Sequence, residues 1–153
     1  MDDQELTARH KVVEVARSFI GTPFHDCGEV KGRQGGADCA TLLKMVFVEA
    51  GAVDDFKIEP YSPQFFLHQD EERYLGIVGR FAREVAPEEA TFGDVVLYKI
   101  GRCFAHGAII ITPGWPHIIH AHYLARGVLR GNGTAVHLGT RIKAVKFFSR
   151  WQE

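Results

Sequence analysis

The sequence predicts a single α+β domain, with helices in its first half and β-strands in its second. Helix-length amphipathic segments fall before residue 86, whereas short β-rich segments separated by turn residues follow Pro87. A group of helices followed by a group of strands is typical of α+β proteins, and short connections between strands favour an antiparallel sheet. The chain of 153 residues shows no internal repeat or domain linker, so we expect residues 1–153 to form one domain.

The first helix is predicted over residues 5–19. Apolar residues recur there at helical spacing, and Gly21-Thr22-Pro23 ends the pattern. Residues 21–37 follow, and they contain five glycines and one proline. This composition predicts a long loop, and long ordered loops often carry function.

Two more helices are predicted before the strands. One begins at Asp38 and ends at Gly51, because glycine readily adopts the conformation that terminates a helix. The other covers residues 62–85, with a break at Gly76 or Gly79.

Five strands are predicted after Pro87, each short and rich in β-branched or aromatic residues. Turn signals such as Pro113-Gly114 and Asn132-Gly133 separate them. The predicted strands are residues 95–98, 108–111, 117–121, 128–129 and 145–148. We expect an antiparallel sheet of five or six strands with the N-terminal helices packed against it.

The charge balance indicates neither a nucleic-acid partner nor a membrane partner. Lys and Arg total 18 while Asp and Glu total 19, so the net charge of −1 gives no footprint for a polyanion. Apolar stretches such as residues 108–111 are far too short to span a bilayer. No signal peptide is visible at the N-terminus, so we expect synthesis in the cytoplasm.

Cys39 is the candidate nucleophile. It follows Asp38, a good N-cap residue, and therefore lies in the first turn of the second helix. There the helix dipole and unpaired N–H groups favour a thiolate, so we expect a thiol pKa below the ordinary value, and the Cys39 N–H is expected to face a developing oxyanion. The three cysteines cannot all be paired within the chain, and a buried, unreactive thiol is the competing interpretation.

Two histidines supply the rest of a nucleophilic site. His106 immediately precedes the second predicted strand, and His120 lies on the next strand, 14 residues later. Adjacent antiparallel strands can bring the two rings side by side, so that one acts as base and the other orients it. Isolated histidines such as His117 and His122 are interpreted as core or surface residues.

A metal site is the alternative drawn from the same residues. Cys103-x-x-His106 has ligand-like spacing, and His25-x-Cys27 offers two further ligands. The pattern lacks the paired CxxC motifs of a strong zinc site, so a zinc-binding protein is the weaker interpretation.

Several segments, in this order, resemble the NlpC/P60-type peptidoglycan endopeptidases, a papain-like family of cell-wall hydrolases. The segments are Ala16-Arg17-Ser18-Phe19-Ile20-Gly21-Thr22-Pro23-Phe24, Asp38-Cys39, Phe92-Gly93-Asp94-Val95-Val96, Ala105-His106-Gly107-Ala108-Ile109-Ile110 and Ile119-His120-Ala121. The resemblance implies a papain-like fold and a catalytic triad at Cys39, His106 and His120. It also implies cleavage of amide bonds in peptidoglycan stem peptides without metal or cofactor, at the cell wall after export or within a phage-like particle.

Loop residues extend the resemblance to the tail-associated hydrolases of phages and gene transfer agents, and so to partners in a phage tail or tail-like particle. They are Phe24-His25, Lys31-Gly32, Asp38-Cys39 and Pro60-Tyr61-Ser62-Pro63.

Two departures from the family pattern affect the expected activity. Phe24 stands where the family usually has a tyrosine whose hydroxyl assists at the oxyanion, and Ala40-Thr41 replaces a glycine-containing pair after the nucleophile. His25 and Tyr61 are candidates to replace the missing hydroxyl, so the substrate and oxyanion candidates are Phe24, His25, Asp38 and Tyr61. The alternative function is a catalytically weak or inactive module that binds wall peptide or a tail protein.

Overall fold

The computed structural model describes residues 1–59, 61 and 72–151. In this part of the chain the helices are α1 (Asp3–Ser18), α2 (Cys39–Glu49) and α3 (Arg73–Val78), with a 3-10 turn at Pro87–Glu89. The strands are β1 (Glu29–Val30), β2 (Gly36–Ala37), β3 (Arg83–Val85), β4 (Val95–Ile100), β5 (Cys103–Ile110), β6 (His117–His122), β7 (Gly127–Asn132) and β8 (Ile142–Ser149). The predicted α+β class is confirmed.

Helix α1 forms where its apolar spacing predicted it. Asp2 caps its start, because the carboxylate accepts a hydrogen bond of 2.7 Å from the Glu5 N–H. The chain leaves the helix through Gly21, whose φ of +97° is one that glycine adopts without strain.

A buried ion pair fastens α1 to the sheet. The Arg9 side chain is fully buried and donates to Asp94 Oδ1 at 2.8 Å and to the Phe92 carbonyl at 3.0 Å. Asp94 is fully buried as well and lies at the entry to β4. A buried charge is tolerated only when it is paired and hydrogen-bonded, so this pair fixes how helix and sheet meet.

The glycine-rich loop is partly ordered into strands. β1 and β2 pair as a two-stranded antiparallel hairpin within the segment predicted as loop. Backbone hydrogen bonds tie the start of the loop to the β7 region, from Gly21 N to Val128 O at 3.0 Å and from Phe24 N to Arg126 O at 3.0 Å. The loop is therefore docked beside the sheet.

The main sheet of the described residues has six antiparallel strands in the order β3-β8-β4-β5-β6-β7. The predicted sheet of five or six strands is confirmed. The helix predicted over residues 62–85 is only partly right. Residues 62–71 lie outside the described residues, α3 ends at Val78, and Arg83–Val85 is a strand, because its backbone pairs with β8 through Arg83↔Ser149 and Val85↔Phe147.

The sheet has an apolar core on each face. Leu97, Ile109 and Ile119 share one core with the helices. On the far face, Tyr98 and Ile110 pack in a second core that also holds residues such as Leu138 from the segment before β8. In the described residues no helix is long and apolar enough to cross a membrane.

Strand β5 contains an irregularity next to His106. Tyr98 pairs with His106 while Lys99 pairs with Phe104, so Ala105 is an extra residue that forms a bulge. His106 lies opposite Tyr98 in the register that runs unbroken from Val95↔Ile109, and the centroids of the two rings are 5.8 Å apart. His106 therefore lies inside β5, whereas the sequence predicted that it precedes the strand.

Within the described ranges of the chain, strands β5 and β6 are not paired beside His106. β5 and β6 pair through Ile109↔Ile119 and Ile110↔Ile118, although β5 extends back to Cys103. The part of β5 that contains His106 therefore has its β6-facing edge open, and the first turn of α2 approaches it there.

Candidate active site

The start of α2 is fixed by the residue before the nucleophile. Asp38 Oδ1 accepts hydrogen bonds from Ala40 N at 2.9 Å and Thr41 N at 2.8 Å, while Thr41 Oγ1 accepts one from Asp38 N at 2.9 Å. These reciprocal bonds form a capping box with threonine in place of the usual glutamate. The predicted N-cap is confirmed, and Cys39 is the first residue of the helix.

The second oxygen of Asp38 organises the surrounding segments. Oδ2 accepts a hydrogen bond of 2.8 Å from Cys27 N and another from the Tyr61 hydroxyl. The carboxylate is almost fully buried and has four donors directed at it. Asp38 thus joins the glycine-rich loop, Tyr61 and the helix start.

The Cys39 sulfur meets the open edge of β5. Its thiol lies 3.6 Å from the Ala105 carbonyl, and the Gly107 N–H is a further hydrogen-bonding neighbour. These two groups flank His106 along the strand. Among the described residues no hydrogen bond joins the thiol to the His106 ring, and the structure places the sulfur beside the residue that precedes it.

The thiol of Cys39 is neutral at neutral pH. Burial raises its pKa above the ordinary value, and the adjacent Asp38 carboxylate raises it further. Hydrogen bonds from the Tyr74 hydroxyl and from the N–H groups of Cys39 and Gly107 favour the thiolate, but their effect is smaller. The expectation of a lowered thiol pKa is wrong for the resting protein, because enclosure by protein and a neighbouring negative charge outweigh the helix dipole.

His106 and His120 form a direct pair, as the adjacent strands predicted. His106 Nε2 lies 2.8 Å from His120 Nδ1, and the rings meet edge to face with centroids 5.1 Å apart. Both side chains are almost fully buried. If His106 donates from Nε2, its Nδ1 keeps a lone pair that can take a proton from a nucleophile.

Both rings are neutral at pH 7. Burial lowers the pKa of His106 well below its ordinary value, and charge on His120 and His122 lowers it further. Burial, and then charge on His122, lowers the pKa of His120 to about 4. The resting site is therefore a neutral thiol near a neutral imidazole.

A third histidine, which the sequence analysis assigned to the core or surface, adjoins the pair. The His122 ring lies 5.0 Å from that of His120 and 6.1 Å from that of His106, between centroids. Its Nε2 donates to the His137 carbonyl at 2.7 Å, which holds the ring in place. The signal in the sequence was the two-residue spacing from His120, which puts both side chains on one face of β6.

Tyr74 also adjoins the site, and sequence reasoning missed it. This fully buried residue of α3 donates a hydrogen bond from its hydroxyl to the Cys39 carbonyl. Its segment carries no motif, so no local pattern identified it.

The other predicted oxyanion candidates contact neighbouring protein groups. The exposed His25 ring has Nδ1 3.0 Å from the Asp26 carbonyl, and Phe24 meets the Tyr123 ring edge-on at 6.4 Å. The Tyr61 hydroxyl donates to Asp38. Their role at an oxyanion stays a prediction.

The cysteines of the zinc alternative lie in different environments. Cys27 is exposed and Cys103 is buried. Over residues 1–59, 61 and 72–151, no group of three or more His, Cys, Asp or Glu side chains is arranged to hold a metal ion.

Comparison with known proteins finds similarity in structure. No protein-family model and no curated protein matches the chain. The peptidoglycan hydrolase RipB of Mycobacterium tuberculosis matches with a TM-score of 0.62 and 21% identity, over 100% of this chain and 69% of that one. The P60 domain of an antigen from M. avium subspecies paratuberculosis matches with a TM-score of 0.57 and 19% identity, over 95% of each chain.

A third similar structure differs in activity. RipD of Mycobacterium tuberculosis is described as a non-catalytic NlpC/p60 domain protein adapted to peptidoglycan binding. It matches with a TM-score of 0.56 and 17% identity, over 95% of this chain and 98% of that one. These similarities establish that the chain has the NlpC/P60 papain-like fold predicted from its sequence.

Proposed function

We propose that this protein is a cysteine peptidase that hydrolyses amide bonds in peptidoglycan stem peptides. The observation that carries the proposal is the convergence of Cys39, at the start of α2, with the part of β5 that contains His106, whose buried ring pairs with His120 of β6. Nucleophilic catalysis needs a thiol, a base and a group that orients the base, and these three are supplied by separate elements of one fold.

The neutral resting state defines how the first step proceeds. As the Cys39 sulfur attacks the scissile carbonyl carbon, His106 Nδ1 takes the thiol proton, and His120 accepts a hydrogen bond from His106 Nε2. The Cys39 backbone N–H donates to the oxyanion of the tetrahedral intermediate. The proton then passes from His106 to the leaving amine, and a thioester to Cys39 remains.

Hydrolysis of the thioester reverses the proton transfers. His106 removes a proton from a water molecule as the water oxygen attacks the thioester carbonyl, and His106 then returns the proton to the departing Cys39 sulfur. No cofactor is needed, because every proton is moved by the imidazole.

The surface next to the site suits a peptide that bears carboxylates. Tyr61, whose hydroxyl reaches Asp38, also lines an open groove of about 310 Å³. Among the described residues, Arg73, Arg80 and Glu59 line the same groove, so its two guanidinium groups outnumber its one carboxylate. Guanidinium groups bind carboxylates through paired hydrogen bonds, and carboxylates are frequent in stem peptides.

The place of action is the cell wall, reached after export or within a phage-like particle. Association with a phage tail depends on loop residues such as Pro60, Ser62 and Pro63, which lie outside the described residues. None of the similar structures reported above is described as a phage or gene-transfer-agent protein.

Digestion of purified peptidoglycan tests the proposal. Wild-type protein should release fragments whose masses identify a single type of cleaved stem-peptide bond, and Cys39→Ala should release none. Absence of fragments from wild-type protein, with its fold verified by circular dichroism, would contradict the assignment of enzymatic activity.

The second candidate is a module that binds wall peptide without cleaving it. RipD, which shares the fold, is described as non-catalytic and adapted to peptidoglycan binding, and the neutral thiol of Cys39 is less nucleophilic than a thiolate. Sedimentation with insoluble peptidoglycan separates the two: a binder stays with the pellet and leaves the peptide bonds intact.

A further inference from the structure

The Tyr74 side chain connects α3 to the start of α2. Its hydroxyl donates to the backbone carbonyl of Cys39, 35 residues away in the sequence, and is also a hydrogen-bonding neighbour of the thiol. The side chain is 0% exposed. A buried hydroxyl at this position costs stability unless it is bonded, so its orientation towards Cys39 is strongly determined.

Gly107 makes room for this side chain. A Cβ at position 107 would stand 2.5 Å from the Tyr74 hydroxyl oxygen and 2.9 Å from its ring carbon Cζ. Gly107 does not have a positive φ, so backbone conformation gives no reason for glycine here. The residue that follows His106 is glycine because the Tyr74 phenol and the Leu97 side chain occupy the space above it.

The hydroxyl is a permanent donor. Burial raises the pKa of Tyr74 well above its ordinary value, and negative charge on Cys39 or Asp38 raises it further. A hydroxyl can rotate about its C–O bond and has one proton to donate, so it can serve the carbonyl or the sulfur but not both at once.

We propose that Tyr74 is a positioning residue for the nucleophile. Its hydroxyl holds the Cys39 carbonyl, and with it the first turn of α2, while the thiol is protonated. It turns to the sulfur when Cys39 becomes a thiolate. The inference rests on Cys39 being the nucleophile of the proposed function. It adds the Tyr74 hydroxyl to the helix terminus and the imidazole as a third group that acts on the Cys39 sulfur.

The variant Tyr74→Phe removes the hydroxyl and keeps the ring. Loss of one hydrogen bond to a charged group should reduce the thiolate fraction by roughly ten- to a hundredfold. Alkylation of Cys39 by iodoacetamide at pH 8, followed by peptide mass spectrometry, should slow by that factor. The pH at which labelling becomes rapid should move upward, which a loss of packing alone does not cause.

Tyr98→Phe is the matched control. The Tyr98 hydroxyl is buried and donates to the Gly133 carbonyl at 2.7 Å, so its removal costs a similar bond that does not involve Cys39, while the ring that packs beside His106 is kept. Cys39 labelling in this variant should stay within about twofold of wild type, because Tyr98→Phe removes no group that bonds to Cys39 and keeps the ring beside His106.

Two results overturn the inference. One is wild-type labelling of Cys39 in Tyr74→Phe, and the other is equal slowing in Tyr98→Phe. Labelling needs no substrate, so the outcome is separate from the proposed function. A protein that shows the Tyr74 effect but cleaves no peptidoglycan would retain the positioning role and lose only the assigned substrate.

Discussion

Replacement of Gly131 by alanine should break the hydrogen bond between His120 and His106. A Cβ at position 131 would stand 2.8 Å from His120 Nε2, whereas an ordinary contact begins at 3.4 Å, so the ring must give way by about 0.6 Å. β7 and β5 flank β6 on opposite sides, and His120 Nδ1 already lies 2.8 Å from His106 Nε2. The ring cannot retreat towards His106, so it must rotate, and rotation breaks the hydrogen bond.

The expected loss of activity in Gly131→Ala follows from the loss of the hydrogen bond that orients His106. Misplacement on this scale is worth on the order of a hundredfold in rate, so kcat on a stem-peptide substrate should fall about 10- to 100-fold with KM little changed. Overpacking should also cost about 1–3 kcal/mol of unfolding free energy. Steady-state kinetics and urea denaturation measure the two effects separately.

A double-mutant cycle isolates the cause. In a His120→Ala background the new Cβ has free space, so adding Gly131→Ala should change kcat by less than about twofold. Gly76→Ala, where the added Cβ meets nothing within 4 Å, is the control for the unfolding free energy. Full activity in Gly131→Ala, or an equal further loss in the His120→Ala background, would refute the reasoning.

Three other outcomes are expected. Arg9→Met should lower the unfolding free energy, measured in urea, by about 3–5 kcal/mol, because the Asp94 carboxylate is left buried without its charge partner. The double variant Arg9→Met/Asp94→Asn should recover part of that free energy, and additive losses from the two substitutions would contradict the prediction. Lowering the pH from about 6.5 to 4 should remove roughly 3 kcal/mol of stability through His120 alone, because the pKa of His120 is lowered to about 4 in the fold and the unfolded chain binds its proton first. That stability is complete above about pH 6.5, and His120→Asn should flatten the pH profile by this amount; an unchanged profile would count against the buried neutral ring. At pH 7, iodoacetamide should modify the exposed Cys27 faster than the half-buried, neutral Cys39, and faster labelling of Cys39 would show that its thiol is ionised.

Much of the site could be predicted because its signals are local. Asp38 before an apolar helical pattern predicts a capped helix start, and the cap puts Cys39 in the first turn. His106 and His120 lie on consecutive short strands, and consecutive antiparallel strands are usually neighbours. The pairing of the two rings therefore followed from strand order.

The predictions that failed concern features that depend on contacts between residues distant in sequence. Arg83–Val85 has no strand-like composition and becomes a strand because β8 supplies its partner. His106 lies inside β5 because β4 supplies partners on both sides of the bulge at Ala105, and the strand therefore extends back to Cys103. The thiol pKa of Cys39 is set by its enclosure and by the charge on Asp38, and neither the enclosure nor Tyr74 can be recognised from the residues around it.

The central claim is that Cys39 and His106 act together as one catalytic unit. Release of fragments from purified peptidoglycan by Cys39→Ala, His106→Ala and the double variant measures this directly, provided circular dichroism shows that each is folded. Members of one unit are strongly non-additive, so each single variant should lose nearly all activity and the double variant should be little worse. Fragment release at the wild-type rate by either single variant, or independent losses that multiply in the double variant, would contradict the account.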